Sequence, residues 1–173
     1  MIDFRKSPSA IPDLFIDGVR VERVIEYTYL GRILDNKLNF NANTNFISKK
    51  CQPRIRCLQK LRSLNVNSAA LHTFYRRRVE SVLTFLCLCW FGGLSVKSKN
   101  VLNKVVNVCG KVVGRNQETL SQLCECHVVQ KARMIVDHRN HGLSQYYDTL
   151  LPGHRIEVLK TKTVKSRESF VRM

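Results

Sequence analysis

The chain has 173 residues, with 29 Lys+Arg against 13 Asp+Glu and a formal charge of +16. That length holds one domain or one and a half, and an apolar content of 44 % builds a core and excludes wholesale disorder. A charge of this size points to a polyanionic partner, nucleic acid or an acidic membrane surface.

Residues 1–16, MIDFRKSPSAIPDLFI, carry charges at positions 3, 5 and 6 and prolines at 8 and 12, which does not read as a secretory signal. Leu14-Phe15-Ile16 and Val19-Arg20-Val21 flank Asp17-Gly18, a two-residue hairpin turn in which both positions take positive φ. Ile25, Tyr27, Tyr29, Gly31 and Ile33 alternate along one face, which predicts a strand over residues 25–33, with Asp35-Asn36 closing the β region.

From there the period becomes helical. Phe46, Ile47, Cys51, Ile55, Leu58 and Leu61 are spaced by three and four, and Pro53 predicts either a kink or a helix start near Gln52. Ser68 is the expected cap of a second helix, Ala69 to about Phe91, with Leu71, Phe74, Tyr75, Val79, Val82, Leu83 and Leu86 inward and Gly92-Gly93 at its end. A third helix is expected from about Val96 to Val113, stopped by Gly114, and a fourth from Glu118 to Val136. A last short helix is expected near Val164–Val171. The longest mostly apolar run, Ser81 to Val96, has 16 residues including two glycines, fewer than the ~20 a membrane helix needs, so a membrane partner is not expected.

The charge is unevenly placed. Residues 1–35 hold 5 basic and 6 acidic side chains, whereas residues 36–79 hold 10 Lys+Arg and no acid, and residues 81–117 add 5 more basic groups with no acid. Lys49, Lys50, Arg54, Arg56, Lys60 and Arg62 lie along one predicted helix, with Lys49, Arg56 and Lys60 on a common face, and Arg76-Arg77-Arg78 lie along the next. An ordinary solvated helix mixes both signs, so an acid-free pair of helices suits phosphate contacts. A solvated face, or a basic module meeting an acidic protein, is the alternative.

Little else in the sequence carries chemistry. Cys87-x-Cys89 and Cys124-x-Cys126-His127, with Cys109, His138, His141 and His154 as further ligand types, raise a zinc reading. Structural zinc sites use gaps of two residues or more, and neighbours two apart on a helix point to different faces. The cysteines are therefore expected to be buried or partly buried thiols, and no metal or cofactor is expected. Seven cysteines is an odd number, which suits reduced thiols in an intracellular protein, nuclear or cytoplasmic and not secreted. There is no G-x-S-x-G, P-loop, H-E-x-x-H or G-x-G-x-x-G, no His-x-Asp or His-x-Glu, and no closely spaced carboxylate pair for two-metal catalysis.

In order along the chain, these residues resemble the C-terminal part of a non-LTR (LINE-type) retrotransposon reverse transcriptase. Met1 to Lys6 looks like the "(V)DFRK" strand, LFIDGVRVERV like the "L.I.G..VE.V" hairpin, and YTYLG like the "FKYLG" primer grip. FISKKCQPRIRCLQKLRS and LHTFYRRRVESVLTFLCLCWFGG resemble thumb helices, and LLPGHRIEVLKTKTVKSRESF resembles the segment near the family's end. The resemblance implies that Tyr29, Leu30 and Gly31 lie against a primer strand. It also implies that the family's polymerase aspartates, including its "[FY]-x-D-D" turn, precede Met1, so that the chain is a non-catalytic remnant. No x-D-D occurs here, and the family's terminal Cys/His finger pattern is absent. Residues 34–66 are also similar to a short domain family named for the N-terminus of an AlkB-like protein. That likeness would imply a 2-oxoglutarate oxygenase or a methyltransferase, for which the sequence has neither the iron motif nor a Gly-rich methyl-donor loop.

The expected fold is α+β, a small antiparallel β element followed by a mainly helical bundle. Residues 1–35 form the palm-edge and primer-grip-like segment, 36–150 the thumb-like helical region, and 151–173 a basic tail. The expected function is nucleic-acid backbone binding, to DNA or RNA, by Tyr29, Leu30, Gly31, Lys49, Lys50, Arg54, Arg56, Lys60, Arg76, Arg77 and Arg78. Some of Ile2, Phe4, Tyr27 and Tyr29 are expected to be under-covered, as the edge of a sheet whose partner surface is elsewhere.

Overall fold

The structure, a computed structural model, describes residues 1–5, 12–138 and 140–142, and the strand backbone of residues 149–150 and 155–156. It is α+β: short antiparallel hairpins precede a helical bundle. Strands β1 (Phe15–Ile16) and β2 (Val19–Arg20) pair across Asp17-Gly18, whose φ values of 48° and 75° are those the turn requires.

The expected strand over residues 25–33 is instead a second hairpin. β3 (Glu26–Tyr29) pairs with β4 (Arg32–Asp35) in the register Tyr29↔Arg32, and the chain reverses at Leu30-Gly31 with φ of 48° and 72°. Gly31 takes the left-handed conformation freely; Leu30 takes it at a steric cost. β3 is exposed throughout, whereas Arg32 and Asp35 of β4 are buried. Phe4, Tyr27 and Tyr29 are each more than half exposed, and Ile2 is half-buried.

Helix α1 (Asn41–Ser63) runs through Pro53 without a break. A proline here removes one backbone hydrogen bond and clashes with the preceding turn. The helix persists because its buried stripe lies on both sides: Ile47 and Cys51 before Pro53, Leu58 after it, each with no exposed surface. No acid lies in its first turn. Asp35 instead organises the turn that leads into the helix, accepting the backbone N–H groups of Lys37, Asn39 and Phe40 at 3.0, 3.0 and 2.7 Å.

The expected single helix from Ala69 to Phe91 is three short ones. α2 (Ser68–Tyr75) is capped by Asn67, not Ser68: the Asn67 side chain accepts the Ala70 N–H at 2.8 Å. A π turn, Arg76–Glu80, leads into α3 (Ser81–Thr84). The reason is the spacing of the buried side chains. Leu71, Tyr75, Val79 and Leu83, all fully buried, recur every fourth residue. Steps of four drift by about 40° each on an ideal α-helix, and a wider turn takes up part of that drift. The chain then breaks. Phe85 is extended, with ψ of 121°, and Leu86 is left-handed, so Leu86 is expelled from the core it was expected to join. α4 (Cys87–Trp90) follows.

α5 (Val96–Val113) is capped by Ser95, ends at left-handed Gly114, and buries Leu102, Val105, Val106, Cys109 and Val113. α6 (Leu120–Asp137) starts in a capping box, Thr119 with Gln122. Two hydrogen bonds orient the bundle. Ser98 Oγ donates to Asn41 Oδ1 at 3.1 Å, joining the N-terminal ends of α5 and α1, while Ser68 Oγ, at the start of α2 just beyond the end of α1, donates to Val113 O at 3.1 Å where α5 finishes. Helices α1 and α5 are thus parallel neighbours, and theirs is the most extensive packing in the bundle.

β5 (Thr149–Leu150) pairs with β6 (Arg155–Ile156), across the expected boundary at residue 150. The helix expected near Val164–Val171 lies outside the described residues.

Candidate nucleic-acid interface

The cations expected to meet phosphate lie on the outside of the bundle. On α1, Lys49, Arg56 and Lys60 follow one another at seven and four residues, which stacks them on the face opposite Ile47, Cys51 and Leu58. All three are exposed. Lys50 and Arg54 occupy a flank of the same helix. The Lys50 ammonium lies 5.5 Å from the centre of the Phe46 ring, and the Arg54 guanidinium donates to the Lys50 carbonyl.

Arg76, Arg77 and Arg78 are exposed on the π turn, which packs on α1. Arg76 reaches Glu80 at 3.6 Å and is partly neutralised. Burial holds the Glu80 carboxyl above the ordinary glutamate range, and Arg76 draws it back only in part. The other basic residues of α1 and of the π turn make no ion pair with a carboxylate among the described residues. The acid nearest α1 in sequence, Asp35, is buried and taken up by the backbone N–H groups of Lys37, Asn39 and Phe40. The acid-free composition of residues 36–79 therefore becomes an unshielded positive face.

Tyr29, Leu30 and Gly31 form the tip of the β3–β4 hairpin rather than the middle of a strand. All three are exposed. It is β4 that packs on α1; β3, which carries Tyr29, is the outer strand.

A second cationic feature was not singled out in the sequence. Lys111 and Arg115 line a cavity of about 600 Å³ at the C-terminal end of α5, with Asn107, Asn116 and Gln117. Its signal was the acid-free composition of residues 81–117, but cations there also suit the negative end of a helix.

What joins the hairpin to the bundle is Arg32. Its side chain is buried and donates to Val82 O (2.7 Å) and Phe85 O (2.8 and 3.2 Å), the carbonyls left open where α3 ends. Trp90 Nε1 donates to the same Phe85 carbonyl at 3.0 Å, and the guanidinium lies 5.1 Å from the Phe85 ring centre and 5.4 Å from that of Trp90. Burial lowers the guanidinium pKa, yet a fork of N–H donors facing two carbonyls keeps the group satisfied.

The cysteines divide. Cys51, Cys87, Cys109 and Cys124 are buried, while Cys57, Cys89 and Cys126 are exposed, so the expectation of covered thiols is corrected at Cys89 and Cys126. Cys87 and Cys89 do point to different sides. Among the described residues no three of His, Cys, Asp and Glu converge on a position where an ion could sit, and no helix there is long and apolar enough to cross a membrane.

Comparison with known protein families, curated proteins and solved structures gives no match to this chain.

Proposed function

We propose that this protein binds the phosphate backbone of nucleic acid, without catalysis, through the cationic face of α1 and the adjoining π turn. The observation that carries the reading is the stack of Lys49, Arg56 and Lys60, exposed, free of carboxylate partners among the described residues, and backed by a buried apolar stripe. Phosphate contacts need charge held at a surface rather than base-reading side chains, and helices dense in Lys and Arg provide it. The resemblance to a retroelement reverse transcriptase supports the further proposal that the chain is a remnant of such an enzyme. In that reading the hairpin tip at Tyr29, Leu30 and Gly31 meets the primer strand beside the helices.

The test is a salt titration of binding to a primer–template duplex. Log K falls linearly against log salt, with a slope near 0.9 per phosphate neutralised on duplex DNA. Replacing Lys49, Arg56 and Lys60 together by Gln reduces the slope by about 2 to 3 and weakens binding most at low salt. No measurable binding at low salt, or a slope unchanged in the triple variant, overturns the proposal.

A further inference from the structure

We propose that the cavity at the C-terminal end of α5 binds a single nucleotide, with its phosphate on Lys111 and Arg115 and its base edge on the amides of Asn107, Asn116 and Gln117. The cavity has a volume of about 600 Å³, in the range of pockets that take small organic ligands and more than a phosphate group alone fills. Among the described residues no carboxylate lines it, and neither cation makes an ion pair. Gly114 forms part of the wall, and a Cβ built there would meet nothing within 4 Å, so the space beside it is open.

Cations at the end of a helix ordinarily serve its open carbonyls. Here two of those carbonyls have other partners. The Gly110 carbonyl accepts the backbone N–H groups of Gly114 and Arg115 at 2.9 and 3.2 Å, and the Val113 carbonyl accepts Ser68 Oγ at 3.1 Å. The Lys111 ammonium and the Arg115 guanidinium donate to no acceptor among the described residues, and both residues are exposed. Their charges are uncommitted. Phosphate is the group that such a pair matches, since Arg offers a planar fork of donors and Lys a mobile point charge.

The amides suit the other half of a nucleotide. Gln117 Nε2 donates to the Arg115 carbonyl at 3.0 Å, which fixes the side chain and leaves its Oε1 as an acceptor. Asn107 and Asn116 each bring a donor and an acceptor. A donor beside an acceptor is the pattern that reads the edge of a base, adenine above all. A bare phosphate would leave these groups unused. The position agrees. Lys60 stands in the last turn of α1 and Lys111 in the last turn of α5. Because the two helices are parallel, the line of Lys49, Arg56 and Lys60 finishes at the end of the bundle that holds the cavity. The nucleotide can arrive free, or as the unpaired end of a strand lying on α1.

The experiment titrates the full chain with adenosine monophosphate and follows the backbone amide signals of Gly114, Arg115 and Asn116 by NMR. Saturable shifts are expected, with adenosine and inorganic phosphate each binding about tenfold more weakly or worse. Lys111 and Arg115 are exposed, so the double variant Lys111→Gln, Arg115→Gln leaves the core intact and should weaken the nucleotide by about tenfold or more. The triple variant Lys49→Gln, Arg56→Gln, Lys60→Gln keeps nucleotide binding, so this site stands or fails separately from the α1 face. Tighter binding of a duplex with a short single-stranded overhang than of a blunt one, lost in the double variant, supports the proposal with a strand end as the source. Equal binding of the two duplexes, with the nucleotide still bound, supports it with the free nucleotide as the source. Absence of saturable shifts, adenosine or phosphate binding as tightly as the nucleotide, or nucleotide binding unchanged in the double variant overturns the proposal.

Discussion

Replacing Arg32 by Lys keeps the charge and removes the fork. The guanidinium makes three hydrogen bonds to two carbonyls, at 2.7, 2.8 and 3.2 Å. An ammonium on an unbranched stem reaches one carbonyl well and cannot bridge both, while remaining buried and more strongly hydrated in the unfolded chain. Losing two charge-assisted bonds at about 1.5–3 kcal/mol each, less what one well-placed ammonium recovers, gives a net loss of about 3 kcal/mol. That is a large fraction of the roughly 5–15 kcal/mol of a whole domain. Urea unfolding followed by circular dichroism should show the midpoint falling by about 1–3 M at unchanged slope. Trp90 is the chain's single tryptophan and shares the Phe85 carbonyl with Arg32, so its fluorescence reports the same site. A midpoint equivalent to less than about 0.5 kcal/mol from that of the unaltered protein, with Trp90 emission unmoved, refutes the reasoning.

Pro53→Ala restores a missing bond on an exposed position of α1 and is expected to stabilise by up to about 3 kcal/mol, read as a higher urea midpoint. Thr119→Ala opens the capping box in which the Gln122 N–H donates to Thr119 Oγ1 at 3.3 Å and the Thr119 N–H donates to Gln122 Oε1 at 2.8 Å; it should cost about 1 kcal/mol and be repaired by Thr119→Ser. Alkali is expected to unfold the protein. Cys51 and Cys109 keep their protons to about 11 and about 12 when folded but lose them near 9.0 when unfolded. The unfolded state then binds fewer protons, and stability present below pH 9 falls by on the order of a few kcal/mol as pH rises toward 12. A flat urea midpoint between pH 9 and 11 contradicts this.

What could be read from the sequence was whatever depends on near neighbours. Helix α5 carries its own signals, Ser95 before it, Gly114 after it and an apolar residue every third or fourth position. The Asp17-Gly18 turn and the Lys49, Arg56, Lys60 face were legible for the same reason. At Leu30-Gly31 the alternation of apolar residues runs straight through a reversal, and a bulky Leu at positive φ masks the glycine that permits it. The break at Phe85-Leu86 has no local signal, since Thr-Phe-Leu-Cys-Leu-Cys-Trp contains neither Gly nor Pro. Its stabilising partner, Arg32, lies some fifty residues upstream. At Pro53 only the alternative of a helix start near Gln52 misled, because local cost was outweighed by burial on both sides. Each Cys-x-Cys divides between core and surface, Cys87 and Cys124 inside and Cys89 and Cys126 outside, as neighbours two apart on a helix must.

The parallel pairing of α1 with α5 has a consequence for how the chain comes to be folded. Parallel helices cannot be joined by a tight turn, so α1 ends at Ser63 and its principal partner begins only at Val96, with α2, the π turn, α3 and α4 in between. During synthesis from the N-terminus, the stripe of Ile47, Cys51 and Leu58 emerges with β4 already made but well before its principal partner α5. The positive face of α1 is complete at that moment and needs no partner helix. In a nascent chain the surface that would meet a polyanion is thus finished before the core that supports it, and non-local closure against α5 is the slow event.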